Sequence, residues 1–115
     1  MILNRDEYLR RLLDRYCGLP HTAARRPSRN DRLLAGQLFQ RRIPLDVIET
    51  AFLLAIARRT FRDPQAQPLP SIRSLAYFLP LIDEVLRQPP DPDYLAYVRS
   101  RGDLNVQSPT ELHDR

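Results

Sequence analysis

Residues 45–61 read Leu-Asp-Val-Ile-Glu-Thr-Ala-Phe-Leu-Leu-Ala-Ile-Ala-Arg-Arg-Thr-Phe, and this stretch decides the fold. The run from Ala51 to Ala57 leaves almost no polar face at any helical phase, so a helix built from it must be buried on most sides. Only other helices packed around it meet that demand in a chain this short. The expectation is an all-α, single-domain bundle of four to five helices around a buried central helix, Leu45 to Phe61. Arg58, Arg59 and Arg62 gather at its C-terminal end, where the helix dipole favours a cation by about 0.3–1 kcal/mol. Pro44 suits the first turn of this helix and disfavours helical backbone at Ile43, so the preceding helix is expected to stop at Arg41 or Arg42.

Working outward, the N-terminal side carries two further helix signals. Asn4 can cap a first helix over residues 5–17, with Glu7 three positions on as in a capping box and Gly18 and Pro20 closing it. Leu9, Leu12, Leu13 and Tyr16 share its apolar face, while Asp6 with Arg10 and Glu7 with Arg11 form acid-first pairs four residues apart. Residues 18–30 have no apolar period and two prolines, which predicts either an ordered loop or a mobile arm. Ser28 then caps a second helix, with Asp31 beside its positive end and Leu33, Leu34, Leu38 and Phe39 as the buried stripe.

On the C-terminal side, a proline-marked loop over 63–70 leads to Ser71 and a fourth helix reaching about Gln88. Ile72, Leu75, Leu79, Ile82 and Leu86 make its stripe, but Pro80 lies inside and predicts a kink or a break into two shorter helices. A short fifth helix bearing Tyr94, Leu95 and Val98 should end at Gly102. The domain is expected to span residues 1–102, followed by a polar, mobile tail over 103–115.

Composition narrows the function classes. The chain has 115 residues, 43% apolar and 28% charged, which suits one small domain. Eleven prolines against three glycines disfavour a glycine-rich phosphate loop. The lone Cys17 supports neither an internal disulfide nor a cysteine-based zinc site. No leader pattern opens the chain, and the seven-residue apolar run at Ala51 falls far short of the roughly 20 residues that cross a bilayer. The setting expected is cytoplasmic, with no membrane partner.

All 18 basic residues are arginine. Two readings stand: guanidinium chemistry selected for planar contacts to phosphate or carboxylate, or codon bias in a GC-rich genome. Placement is more informative than number. Residues 1–62 hold 13 arginines against six acidic residues, net +7, whereas residues 63–115 hold five against eight, net −3. These halves either present a basic face to a polyanion or dock on each other. The strongest functional candidates are Arg25, Arg26, Arg29, Arg32, Arg41 and Arg42. The first three lie where no packing duty is visible, and contacts to backbone phosphate need only reach and charge.

Other constellations are weaker. Asp31 to Ala51 has the rough profile of a helix-turn-helix, without the usual turn glycine and with a very apolar second helix. Tyr8, Tyr16, Tyr77, Tyr94 and Tyr97 can be read as stacking platforms or as core-edge residues with wet hydroxyls. Tyr94 and Tyr97, three residues apart, are the pair most open to a partner. His21 and His113 have no partners at metal-ligand spacing, and Asp83 and Glu84 are adjacent on a helix, so their side chains diverge by about 100°. No enzyme activity and no cofactor are expected.

The blocks Arg-Arg-Ile-Pro-Leu-Asp-Val-Ile-Glu-Thr-Ala-Phe-Leu-Leu-Ala-Ile-Ala-Arg-Arg (41–59) and Ile-Arg-Ser-Leu-Ala-Tyr-Phe-Leu-Pro-Leu-Ile-Asp-Glu-Val-Leu (72–86) resemble small uncharacterised bacterial proteins found near mobile genetic elements. More loosely, they are similar to the helical domains of DnaD-type replication and primosome proteins. The likeness covers residues 30–88 and rests on apolar spacing; Pro80 departs from its simple form. It implies DNA association in replication or transposition, with self-assembly. The leading expectation is a non-enzymatic nucleic-acid-binding accessory domain. The alternative is a protein-interaction or homodimerisation module that uses apolar surface of the fourth and fifth helices.

Overall fold

Asn4 opens the first helix by accepting the Glu7 backbone N–H on its side-chain oxygen at 2.8 Å. The computed structural model describes residues 3–23 and 25–101, and their helices are α1 (Arg5–Cys17), α2 (Arg29–Gln40), α3 (Leu45–Thr60), α4 (Leu79–Arg87) and α5 (Pro92–Ser100), with a 3₁₀ turn over Leu75–Phe78. The all-α bundle expected from the sequence is the fold observed. Among the described residues no helix is long and apolar enough to cross a membrane. Gly102 and the expected tail over 103–115, including His113, lie outside the described residues.

The central helix behaves as its composition demands. Ile48, Ala51, Phe52, Leu54, Ala55, Ile56 and Ala57 of α3 are all buried. Its main neighbour is α4, with α1 and the 3₁₀ turn beside it, while α1 and α2 pack on each other as an antiparallel pair. Three aromatic rings tie these elements together. Phe78 of the 3₁₀ turn meets Phe52 of α3 edge-on at 4.7 Å and Tyr16 of α1 at 6.0 Å, geometries worth about 0.5–1.5 kcal/mol each beyond area burial.

Two helical phases differ in part from the sequence expectation, each for a physical reason: Leu34, Leu38, Phe39, Ile72, Leu75, Leu79 and Ile82 pack on the core as expected, whereas Leu33 and Leu86 do not. In α2 the buried positions are Asp31, Ala35, Gly36 and Leu38, and Leu33 is 59% exposed. The Asp31 carboxylate is 1% exposed and satisfied on both oxygens. One accepts the Ser28 N–H at 2.9 Å, reciprocated by the Asp31 N–H to the Ser28 hydroxyl at 3.0 Å, and the other accepts the Leu75 N–H at 2.9 Å. A phase assigned from leucines alone excludes an aspartate from the inner face, yet here the aspartate sets it. The second shift follows Pro80. The backbone tightens to 3₁₀ over 75–78, and α4 restarts with Pro80 in its first turn, where a missing N–H breaks no helical bond. Three residues per 3₁₀ turn move the stripe to Ile72, Leu75, Phe78, Ile82 and Val85, all buried, and turn Leu86 outward.

The loop between α1 and α2 is tied to the protein. Thr22 and Ile72 form an isolated parallel bridge, with the Ile72 N–H donating to the His21 carbonyl at 2.7 Å and the Ala23 N–H to the Ile72 carbonyl at 2.8 Å. Of the two expectations for residues 18–30, the ordered loop therefore describes its first half. At the other end of α2, Arg42 adopts φ 60°. The Ile43 N–H reaches back to Leu38 at 3.2 Å and the Arg42 N–H to Phe39 at 2.9 Å, the pairing of a Schellman cap. An arginine holds the position that glycine usually takes, which costs about 1 kcal/mol. Tyr8 closes this turn by donating its hydroxyl to the Ile43 carbonyl at 2.6 Å.

Replacing Asp31 by alanine strands the N–H groups of Ser28 and Leu75 and should destabilise the protein by about 3 kcal/mol in urea unfolding, with Asp31→Asn intermediate because it keeps one acceptor oxygen. A loss below about 0.5 kcal/mol for Asp31→Ala would disprove the bridging role. Two buried tyrosines should behave oppositely. Tyr8→Phe abandons the Ile43 carbonyl and should cost about 1–2 kcal/mol, whereas the Tyr16 hydroxyl has no hydrogen-bond partner among the described residues, so Tyr16→Phe should be neutral or stabilising. Burial pushes both phenols up to about 12, with the Asp31 charge adding to the effect at Tyr16. Because the neutral phenol is the form favoured on folding, this stabilisation is complete below about pH 10 and disappears as pH rises toward 12. Ultraviolet titration should show each phenylalanine variant losing one late-titrating step.

Candidate nucleic-acid interface

The arginines divide sharply by the partners their positions provide. Glu7 takes Arg10 at 2.6 Å and Arg11 at 2.9 Å, and Arg10 also lies 3.8 Å from Asp14; the expected Asp6–Arg10 pair is absent from the ion pairs of the described residues. The two guanidinium groups hold the Glu7 carboxyl below its usual range. Arg15 stands 3.7 Å from Glu49 of α3. Asp83 and Glu84 diverge as adjacent helical residues must. Asp83 receives Arg41 at 3.2 Å, while Glu84 receives both terminal nitrogens of Arg58 at 3.1 and 2.5 Å and is thereby held below the usual carboxylate range. Part of the acidic back half thus neutralises part of the basic front half.

Arg59 and Arg62 are engaged differently. Arg59 donates to the Pro70 carbonyl at 2.5 Å and Arg62 to the Gln67 carbonyl at 2.8 Å, folding the proline-marked loop onto the end of α3. Their role is therefore more specific than favourable placement at a helix C-terminus.

Of the six candidate arginines, Arg25, Arg26, Arg29, Arg32 and Arg42 form no salt bridge among the described residues, and all are exposed. The capped start of α2 places Arg29 and Arg32 one turn apart on its outer face, directly after the loop that carries Arg25 and Arg26. There α1 and α2 enclose an open groove of about 630 Å³, in which Arg5 and Arg10 of α1 face Arg29 and Arg32 of α2. Asp6 and Asp14 also line it, and because Arg10 is engaged by Glu7 and Asp14, the lining guanidinium groups without a salt bridge among the described residues are those of Arg5, Arg29 and Arg32; Leu9, Leu13 and Leu33 supply apolar lining. Arg5 lies against Gly36, where an added Cβ would come within 3.0 Å of its guanidinium nitrogen. Sequence reasoning assigned no role to Arg5. Only the close approach of α1 to α2 brings it to the groove.

Arg41 and Arg42 do not join this group. They follow α2 at its far end, about 18 Å along the axis from Arg29, and Arg41 is held by Asp83. The helix-turn-helix expectation also fails geometrically. The principal partner of α2 is α1 and that of α3 is α4, the apolar middle of α3 is enclosed, and its exposed early positions are Asp46 and Glu49. A phosphate-lined groove would be repelled there.

The nucleophile and base candidates are poorly equipped. Burial, with Asp31 and Asp14, raises the Cys17 pKa and favours the protonated thiol, while partial burial and Arg59 push His21 toward its neutral form. No group of three or more His, Cys, Asp or Glu residues converges to hold a metal ion among the described residues. The chemistry the groove offers is recognition of anionic oxygen by planar, permanently charged donors. No protein-family model matches the chain, and neither the curated proteins nor the solved structures return a match.

Proposed function

We propose that this protein is a non-enzymatic nucleic-acid-binding accessory domain that contacts backbone phosphates through Arg25, Arg26, Arg29 and Arg32, with Arg5 completing the set. The observation that supports this reading best is the division of the arginines: Arg10, Arg11, Arg15, Arg41 and Arg58 have carboxylates, whereas the group around the start of α2 is left with charge to spend on an outside anion. Arg42 contributes charge from the far end of α2, and Arg41 contributes little while Asp83 holds it. The contacts are to phosphate, without reading of base edges, because the apolar helix that would enter a groove is buried. Replication or transposition is the setting implied by the resemblance of residues 30–88. The competing reading, self-association through α4 and α5, draws on the outward-facing Leu86 and requires association that salt barely affects.

Anisotropy titration of a labelled duplex across a salt series separates the two. Each phosphate contact contributes about −0.9 to the slope of log K against log salt, so replacing Arg25, Arg26, Arg29 and Arg32 together by alanine should flatten the slope by about 3. Arg41→Ala should change it by well under one unit. An unchanged slope in the quadruple variant, or no binding at low salt, overturns the proposal; a salt-insensitive dimer in light scattering favours the competing reading.

A further inference from the structure

The aromatic residues divide as clearly as the arginines. Tyr8, Tyr16, Phe52 and Phe78 are buried, whereas Tyr77, Tyr94 and Tyr97 are each more than 40% exposed. Tyr97 on α5 has the Tyr94 ring 6.4 Å away at a 35° tilt and the Phe61 ring 6.5 Å away at 58°. The Arg101 guanidinium lies 4.8 Å from the Phe61 ring centre and 5.9 Å from that of Tyr97, and donates to the Tyr97 hydroxyl at 3.1 Å. Arg59 and Tyr77 form a second such pair: Arg59 lies over the Tyr77 ring at 5.6 Å and donates to its hydroxyl at 3.3 Å.

We infer that this surface binds single-stranded nucleic acid, with unpaired bases stacking on Tyr94 and Tyr97 and phosphates meeting Arg59, Arg62 and Arg101. The inference rests on the nucleic-acid reading for its class of ligand, but uses residues distinct from those of the α1–α2 groove. Its chemistry is a π-face presented to solvent beside a guanidinium plane already oriented by a ring and a hydroxyl, which suits a stacked base. Charge selects the ligand. Arg59 and Arg62 donate to backbone carbonyls, which occupies N–H groups without cancelling their charge, although the buried Arg59 Nε has no partner among the described residues and Asp91 and Asp93 at the start of α5 offset part of the positive charge. A polyanion gains from those cations; an uncharged proline-rich peptide, which also packs on tyrosines, does not. Duplex DNA keeps its bases stacked inside and cannot use the rings.

The test compares oligothymidine of about 20 nucleotides with an abasic sugar-phosphate strand of the same length and charge, using the intact chain. The protein has five tyrosines and no tryptophan, so quenching of tyrosine emission reports stacking while anisotropy reports binding. Oligothymidine should bind about ten-fold tighter than the abasic strand. The double variant Tyr94→Ala, Tyr97→Ala should erase that preference with abasic binding unchanged, and Tyr94→Phe, Tyr97→Phe should retain it because the rings remain. The Arg25, Arg26, Arg29, Arg32 quadruple alanine variant should weaken both strands alike. Equal binding of the two strands, or a preference that survives the double alanine variant, overturns the stacking platform while leaving the phosphate reading standing. Failure of both strands to bind overturns the two together. Tyrosine quenching by a proline decapeptide but not by oligothymidine overturns the inference in favour of a protein partner.

Discussion

The Asp31 carboxylate is the contact on which the arrangement depends. Burying an ionised group costs several kcal/mol unless its oxygens are satisfied, and here both are, by the backbone N–H of Leu75, 44 residues away in sequence, and by that of the cap residue Ser28, three residues away. One oxygen sets where α2 begins. The other sets where the chain beyond the proline-marked loop turns into its 3₁₀ segment and so delivers Phe78 to Phe52 and Tyr16. Because the bonded atoms are backbone, the join specifies position along the chain and not merely proximity. The same inward turn of Asp31 directs Arg29, Arg32 and Leu33 outward, so the interface and the core share one cause.

Charge is distributed by a second constraint, the supply of carboxylates within reach. Glu7 alone receives two arginines, and Asp83 and Glu84 receive one each from different parts of the chain. Exposed pairs of this kind contribute little to stability, commonly 0–1 kcal/mol. Their larger effect is on the field outside the protein, since a neutralised guanidinium no longer attracts a distant anion. Where carboxylates are scarce, around the start of α2, the positive field persists along a groove with apolar lining. Beside α5 the Arg101 guanidinium lies against exposed rings, with Asp91 and Asp93 at the start of the helix offsetting part of the charge.

Much of the helical framework was legible in the sequence because its signals are local. The cap at Asn4, the cap at Ser28 with Asp31 beside it, the interruption at Pro80 and the enclosed Ala51 to Ala57 stretch each depend on residues within about one turn of one another. The helical phases of α2 and α4 were legible in part: Leu34, Leu38 and Phe39 of α2 and Leu79 and Ile82 of α4 pack on the core as expected, whereas Leu33 and Leu86 face outward. In α2 the decisive residue is a charged one whose partner, Leu75, is remote in sequence; before α4 four tight 3₁₀ residues advance the stripe by an amount that apolar spacing alone does not reveal. The split among the tyrosines was equally hidden, since Tyr8 and Tyr97 both occupy plausible helical positions and only packing decides which ring is covered.

By itself the sequence determined an all-α bundle centred on Leu45 to Phe61, an excess of guanidinium charge in its first half, and the positions where most helices start and stop; the fourth, expected from Ser71, begins at Leu79 instead, because Ile72 is drawn into the bridge with Thr22 and Ser74 caps the 3₁₀ turn. Those properties follow from composition, periodicity and short-range hydrogen bonding. Tertiary structure decided which arginines keep their charge available. Arg41 looked equivalent to Arg29 until Asp83 proved to lie against it, and Arg5 carried no signal until α1 came to rest along Gly36. An electrostatic partner is chosen by distance in space, and distances between helices are set by buried contacts that join residues far apart in the chain.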